Sequence, residues 1–287
     1  MSKSIGHALA EATRQIDALD ARVLLCHVMR KEAAYLIAHA GASLDPQQAG
    51  TFDALVARRA AGEPVAYITG RREFFGLDFH VTPAALIPRP ETELLVELAL
   101  ARIAPNAACH VLDLGTGSGC VAISIARHRP QADVTAIDRS TEALALAREN
   151  ARALAVRNVA FATGEWFGAV AGRRFDLIVA NPPYVAVNDP HLTQGDLRFE
   201  PQMALLGGGD GLDAIRAIVA EAGAHLSPAG SLLFEHGYEQ GAASRALLRA
   251  AGFQAAASWP DLAGHERVSG GRKLDVTAGE PLNLKAD

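Results

Sequence analysis

Cysteine is scarce in this sequence. Cys26, Cys109 and Cys120 are the only three in 287 residues, an odd number without metal-type spacing. That excludes a disulfide framework and points to free thiols in a reducing compartment. The ten histidines are scattered, with no His-x-x-x-His pair and no Cys/His cluster, so no metal site is expected. Positive charge is not in excess: 27 Lys and Arg stand against 32 Asp and Glu, a net charge of −5. This argues against a large nucleic-acid surface, which needs clustered cations. No apolar run is long enough to span a bilayer, and residues 1–15 hold no signal-peptide core, so a cytoplasmic protein without a membrane role is expected. A Gly-x-Ser-x-Gly elbow, a phosphate loop, internal repeats and low-complexity tracts are all absent.

What is present is ordinary globular material, 49% hydrophobic and 21% charged, long enough for two domains. Residues 4–61 read as helices. Ile5, Leu9, Ile16 and Leu19 recur at helical spacing. Asp20 is placed to cap a second helix carrying Val23, Leu24, His27 and Val28, and Lys31 to Ala40 suggests a third. Asp45-Pro46 is an N-cap followed by proline at the first helical position. The helix it starts carries Phe52, Leu55 and Val56 on one face and ends near Gly62. We read residues 1–62 as a helical docking domain, 63–84 as a β-hairpin connector and 85–287 as the catalytic domain. Within the connector, 65–70 and 73–81 read as extended chain, with Gly76 at a turn. Pro90, with Glu91 and Glu93 in the next turn, marks the start of another helix.

From His110 the pattern alternates. Strands are expected at 110–114, 133–138, 159–163, 175–180 and 230–236, and helices at about 118–129, 141–154, 212–226 and 239–251. Alternation of this kind makes an α/β fold, doubly wound around a mostly parallel sheet. Short strands near 254–259 and 266–274 complete the chain, with Ser269-Gly270-Gly271 expected to interrupt the second. The tail from Ala278 to Asp287 is expected to fray.

Two stretches carry chemistry. Asp113-Leu114-Gly115-Thr116-Gly117-Ser118-Gly119 follows a strand and opens a helix. Its glycines permit a tight turn and close backbone approach by a ligand. Asp138, ending the next strand, is placed to bond the hydroxyls of a ribose. A nicotinamide dinucleotide or S-adenosylmethionine both fit so far. The third glycine comes one residue early for the dinucleotide pattern, and the carboxylate of Asp113 would repel a pyrophosphate, so the loop favours a cationic sulfonium. The second stretch is Asn181-Pro182-Pro183-Tyr184, leaving the buried strand 175–180. The Asn181 amide oxygen and the Pro182 carbonyl can each accept an N–H, and Tyr184 offers a flat face. Such a pocket suits a planar NH₂ group. Trp166 fits either against an adenine or as a rim aromatic. Glu200 fits either beside the loop after Tyr184 or on the surface. His236 and His265 read as structural.

Together these stretches resemble the release-factor glutamine-N5 methyltransferase family, class I enzymes dependent on S-adenosylmethionine. The resemblance also rests on Glu63-Pro64 through Tyr67-Ile68-Thr69-Gly70, Ile87-Pro88-Arg89-Pro90-Glu91-Thr92-Glu93, Phe199-Glu200-Pro201 and Gly208-Gly209-Asp210-Gly211-Leu212. It implies a seven-stranded Rossmann-like catalytic domain behind a small helical domain that holds a protein substrate. It further implies that Gly115, Thr116, Gly117, Ser118, Gly119, Asp138, Trp166 and Asn181 bind S-adenosylmethionine. Asn181, Pro182, Pro183 and Tyr184 would hold the glutamine of a Gly-Gly-Gln loop on a peptide-chain release factor, with Asn181, Pro182 and Tyr184 acting in catalysis. The partner would be that protein, with no nucleic acid required, and the enzyme a monomer. A DNA or RNA amino-methyltransferase shares the Asn-Pro-Pro-Tyr stretch but would need a basic groove. An NAD-dependent oxidoreductase would need the other glycine spacing, and an idle cofactor-binding adaptor would not need a two-acceptor pocket.

Overall fold

The computed structural model describes residues 3–193 and 195–274. The expectation for Ala278 to Asp287 lies outside them. The chain divides into two compact units: Met1–Arg72 with Val81–Pro83 and Pro190–Glu200, and Glu73–His80 with Ala84–Asp189 and Pro201–Asp287.

The first unit is helical. Ser4 caps α1 (Ile5–Ala12) by accepting the His7 N–H. The cap of α2 (Ala18–Met29) is Asp17 rather than Asp20, its carboxylate accepting the Leu19 N–H at 2.7 Å. Asp20 lies in the first turn of α2 and accepts from Arg59 Nε at 2.6 Å. The apolar spacing of Ile5, Leu9, Ile16 and Leu19 therefore runs across two helices, and Leu19 is 63% exposed. The buried face of α2 carries Leu24 and Leu25, while Val23 and His27 point to solvent. α3 (Ala33–Ala38) buries Leu36. α4 (Pro46–Ala60) starts where Asp45-Pro46 sets it, with the Asp45 carboxylate accepting Gln47 N–H at 2.8 Å. Phe52 and Val56 join Ile5, Leu24, Leu25 and Leu36 in one core.

Residues 65–70 are not extended. Val65–Thr69 form a short helix, α5, which buries Ala66 and Ile68. Pro64 with φ −57° opens it and left-handed Gly70 closes it. These are helix-delimiting residues, and they outweigh the strand preference of Val, Tyr, Ile and Thr. The 190–200 segment belongs to the same unit: Arg59 Nη1 donates to Asp196 at 2.9 Å, and Arg198 Nη2 to the Ala61 carbonyl at 3.1 Å. Glu200 is buried here, not on the surface.

A hairpin of β1 (Arg71–Phe74) and β2 (Leu77–His80) turns at Phe75-Gly76, both with positive φ. Two such residues make the tight turn that matches strand twist. A 3₁₀ turn at Pro90–Thr92 leads into α6 (Glu93–Arg102).

In the second unit β3 (His110–Leu114), β4 (Asp133–Asp138), β5 (Val159–Thr163) and β6 (Phe175–Ala180) fall where alternation puts them. β7 (Leu226–Glu235) starts earlier than expected. α7 (Cys120–His128), α8 (Thr141–Ala153), α9 (Asp213–His225) and α10 (Gly241–Ala250) connect them. β8 (Gln254–Pro260) and β9 (Glu266–Arg272) finish a seven-stranded sheet of order β5-β4-β3-β6-β7-β9-β8, in which β9 runs antiparallel. Ser269-Gly270-Gly271 does not interrupt β9: these residues pair with Phe234, Leu233 and Leu232 of β7. A side chain on Gly270 would collide with the Leu232 carbonyl, so glycine permits the close pairing rather than breaking it.

Both faces of the sheet are covered. On β6, Leu177 and Val179 face one apolar cluster and Ile178 and Ala180 the other, as period-two alternation requires. β3 and β6 are parallel neighbours, and the chain winds away from them in opposite directions. Their carboxyl ends therefore flank the crevice where such sheets bind ligands.

Candidate active site

A cavity of ≈ 370 Å³ opens at that crevice. Its first wall is the loop after β3. The Gly115 and Thr116 N–H groups both donate to the Ile137 carbonyl, at 2.8 and 2.9 Å, which ties the loop to β4. Gly115, Gly117 and Gly119 all have positive φ, the conformation glycine adopts at least cost. Asp138 receives the Gly117 N–H on Oδ2 at 2.8 Å and the Ser140 N–H on Oδ1 at 2.9 Å. Each carboxylate oxygen accepts two bonds, so acceptor capacity is left toward the cavity.

Asp113 is buried, and its Oδ2 accepts the Thr116 hydroxyl at 2.6 Å. Burial pushes its carboxyl up to about 7, against the pull of that hydrogen bond. Ser118 Oγ, also buried on the wall, has no hydrogen bond of ordinary geometry and lies beside the Cys120 thiol. Burial drives that thiol up to about 12. Trp166 lines the cavity with φ 45°, a left-handed conformation that costs a bulky residue energy, which makes it a functional candidate.

The second wall is the loop after β6. Asn181 is part-buried and its Nδ2 donates to Thr92 Oγ1 at 3.1 Å, leaving Oδ1 as a free acceptor at the cavity. Tyr184 Oη donates to Glu235 Oε1 at 2.9 Å. Burial and the Glu235 charge hold the tyrosine well above its usual range. Burial likewise raises the Glu235 carboxyl, opposed by the Thr92 and Tyr184 hydroxyls. Gln240 Nε2 donates to the Tyr184 carbonyl at 3.1 Å and the Asp210 carbonyl at 3.2 Å, fixing the backbone beyond the prolines.

Of the residues expected at the site, Gly115, Thr116, Gly117, Ser118, Asp138, Trp166, Asn181 and Pro183 line the cavity. Gly119, Pro182 and Tyr184 do not. Gly119 is the N-cap of α7, and a Cβ there would lie 2.8 Å from Ile123 Cδ1. The flat face expected of Tyr184 is not on the wall: the residue packs against the core, and its hydroxyl is drawn to Glu235. Sequence reasoning missed Thr92, Met203 and the 84–89 segment on the wall, and Glu235 behind it. Glu235 did leave a signal, an acid ending the apolar run Leu232 to Phe234, since buried carboxylates are rare without partners. His236, with both ring nitrogens bonded, to Ser269 Oγ and the Gly237 carbonyl, is structural.

No described helix is long and apolar enough to cross a membrane. Residues 3–70 match the PrmC N-terminal domain family, and 91–196 the methyltransferase small domain family. The chain is 53% identical over 264 residues to the release factor glutamine methyltransferase of Xylella fastidiosa, a match covering 92% of this chain and 96% of that protein. It is 55% identical over 263 residues to that of Burkholderia pseudomallei, covering 90% and 92%. Its fold resembles a methyltransferase from Pyrococcus furiosus, with a TM-score of 0.52 and 20% identity over 76% of this chain and 97% of the other. With half its residues shared over nearly its whole length, the chain belongs to the release factor glutamine methyltransferase family.

Proposed function

We propose that the protein transfers a methyl group from S-adenosylmethionine to the side-chain amide nitrogen of the glutamine in a release factor's Gly-Gly-Gln loop. The observation that carries this reading is the Asn181 amide, held by Thr92 with its oxygen at a cavity that also contains Asp113 and Asp138. The cavity residues fit the cofactor. Asp138 has acceptor capacity for ribose hydroxyls, Ser118 Oγ is an orphaned polar group, Trp166 offers a ring, and Asp113 supplies negative charge suited to a sulfonium. When bound, the cofactor supplies an electrophilic methyl group.

The work of the chain is on the amide. An amide nitrogen is a poor nucleophile because its lone pair is delocalised into the carbonyl. In this reading Asn181 Oδ1 accepts one of its N–H groups at the cavity, fixes its direction and stabilises positive charge as it develops on nitrogen; the Pro182 carbonyl, expected from the sequence to take the other, does not line the cavity. Orientation and preorganised acceptors carry the rate. The product amide, protonated on nitrogen, is acidic enough to lose its proton to an acceptor or water.

The helical unit, in this reading, holds the release factor. Leu19, Val23 and Ile37 support it as apolar side chains 63%, 40% and 72% exposed. Leu19→Asp with Ile37→Asp is expected to raise KM for intact release factor while sparing a short Gly-Gly-Gln peptide. The net charge of −5 supports a reaction without nucleic acid; action as a cytoplasmic monomer completes the reading. Mass spectrometry after incubation with methyl-labelled cofactor tests the whole: label belongs on the glutamine side-chain nitrogen, and a Gln→Ala substrate takes none. Label on adenine in DNA or ribosomal RNA would overturn the substrate.

A further inference from the structure

We propose that Asn150 is a positioning residue for the cofactor: its amide ties the Ser118 carbonyl of the glycine loop to the backbone of β2, so that α8 and the hairpin together hold the loop in its ligand-binding shape. This rests on the reading that the cavity holds S-adenosylmethionine.

Asn150 stands apart from its neighbours on the helix. The buried face of α8 carries Ala143, Leu144, Leu146, Ala147 and Ala151, and Asn150 is the polar residue among them, 1% exposed. Asparagine is a poor helix former, and a buried amide without partners costs free energy. Here both ends of the amide are bonded. Its Oδ1 accepts the His80 N–H at 2.8 Å. Its Nδ2 donates to the His80 carbonyl at 3.0 Å and to the Ser118 carbonyl at 2.9 Å. The orientation has one solution. A main-chain N–H only donates and a carbonyl only accepts, so the amide oxygen must face the His80 N–H and the NH₂ the two carbonyls.

The Ser118 carbonyl needs this donor. Gly119 is the N-cap of α7, and its carbonyl begins the helical ladder by accepting the Ile123 N–H at 2.9 Å. Ser118 lies one residue outside that ladder and is 2% exposed, so the helix does not serve its carbonyl and bulk water barely reaches the residue. The next residue also lies on α8: a Cβ on Gly119 would come 3.1 Å from the Ala147 Cβ. Ala147 and Asn150 are three apart and share a helix face. α8 therefore meets the loop by contact at Gly119 and by a hydrogen bond at Ser118. The other side of the loop is the cavity wall. Gly117 and Ser118 line it, and Ser118 Oγ is buried there with no hydrogen bond of ordinary geometry. With its carbonyl pinned to α8, Ser118 keeps its hydroxyl for the ligand.

Asn150→Leu keeps the outline and removes the amide. Calorimetry with S-adenosylmethionine should show affinity lower by roughly ten- to a hundredfold, the cost of leaving a buried carbonyl without its donor. Turnover of a Gly-Gly-Gln peptide at saturating cofactor, and KM for that peptide, should stay at wild-type values, because other residues hold the loop after β6. Amide hydrogen exchange should speed up at 115–119 and not along β3, β4 and β6. A merely structural asparagine would lower the melting temperature and leave the affinity of the folded protein intact. That result overturns the proposal, as does lost affinity with faster exchange throughout the sheet. If Asn150→Leu does not fold, Asn150→Ala, which demands less of the packing, decides by the same measurements. S-adenosylmethionine that does not bind the wild-type protein defeats the underlying reading. Wild-type binding beside undiminished affinity in the folded variant defeats this inference alone.

Discussion

The loop after β3 is gripped mainly at its main-chain groups; the side chains of the loop after β6 are themselves held, by groups from distant parts of the chain. In the first, main-chain N–H groups reach the Ile137 carbonyl and Asp138, and glycines supply the turns. In the second, Thr92 reaches Asn181 across 89 residues, and Glu235 and Gln240 reach Tyr184 across 51 and 56. Holding at main-chain groups tolerates exchange of the loop's own side chains and fails when a glycine is lost. Side-chain holding fails through single atoms remote from the reacting group. The two modes suit two tasks. Binding a cofactor needs room and a few fixed acceptors. Directing a methyl transfer needs one amide with its oxygen in one direction.

The comparison breaks most visibly at Asn181. Asn181→Ala should cut turnover by roughly 10²–10³ while cofactor affinity changes little. Turnover near wild type in a folded variant would put the chemistry elsewhere. Asp138→Ala should do the reverse. Losing hydrogen bonds to a charged acceptor costs roughly 1.5–3 kcal/mol each, so cofactor binding should weaken by about ten- to a hundredfold in calorimetry. Affinity left intact would remove Asp138 from the site.

A pair of glycine variants sharpens the contrast. Gly119→Ala imposes a left-handed conformation worth about 1–2 kcal/mol and presses on Ile123 and Ala147, so it should lower the melting temperature and cofactor affinity together. Gly211→Ala has a similar φ but drives its Cβ into the Tyr184 carbonyl and the Gln240 amide, so it should lower turnover more than cofactor affinity. If both variants lose the same function, the two loops are not independent.

The smallest effect expected is with pH. The free protein holds the Asp113 carboxyl near 7, raised from 3.8 by burial. Between those values the folded state binds a proton that the unfolded chain does not. This group's contribution to stability therefore falls as pH rises across that window and is level above it. A cationic ligand favours the carboxylate, so cofactor affinity should rise by at most about tenfold per pH unit up to about 7 and then level off, with proton release on binding. Calorimetry in buffers of different ionisation heat measures that release, and none at about pH 6 would remove Asp113 from contact with the cationic charge.

The legibility of the sequence followed the same division. The glycine spacing from Asp113 to Gly119 and the polar Asn181 leaving an apolar strand could be read directly, because local chain geometry demands them. The strands of the parallel sheet could be read because burial on both faces makes continuous apolar runs. Residues 65–70 were misread because β-branched content and helix punctuation conflict there, and burial of Ala66 and Ile68 decided for the helix. Asp20 looked like a cap because it precedes apolar residues, yet Asp17 has the bond. Ser269-Gly270-Gly271 looked like a break because nothing local tells that the Leu232 carbonyl lies against Gly270.

By itself the sequence determined the α/β order, the glycine loop after β3 and the presence of an amide beside two prolines, since these depend on periodicity and on residues near in the chain. Only the tertiary structure decided that Tyr184 turns to Glu235 and that Thr92 takes the Asn181 NH₂. Hydrogen bonds between side chains form through space, whatever the separation of the residues along the chain. The three positions, 92, 181 and 235, have no spacing that would reveal them as neighbours.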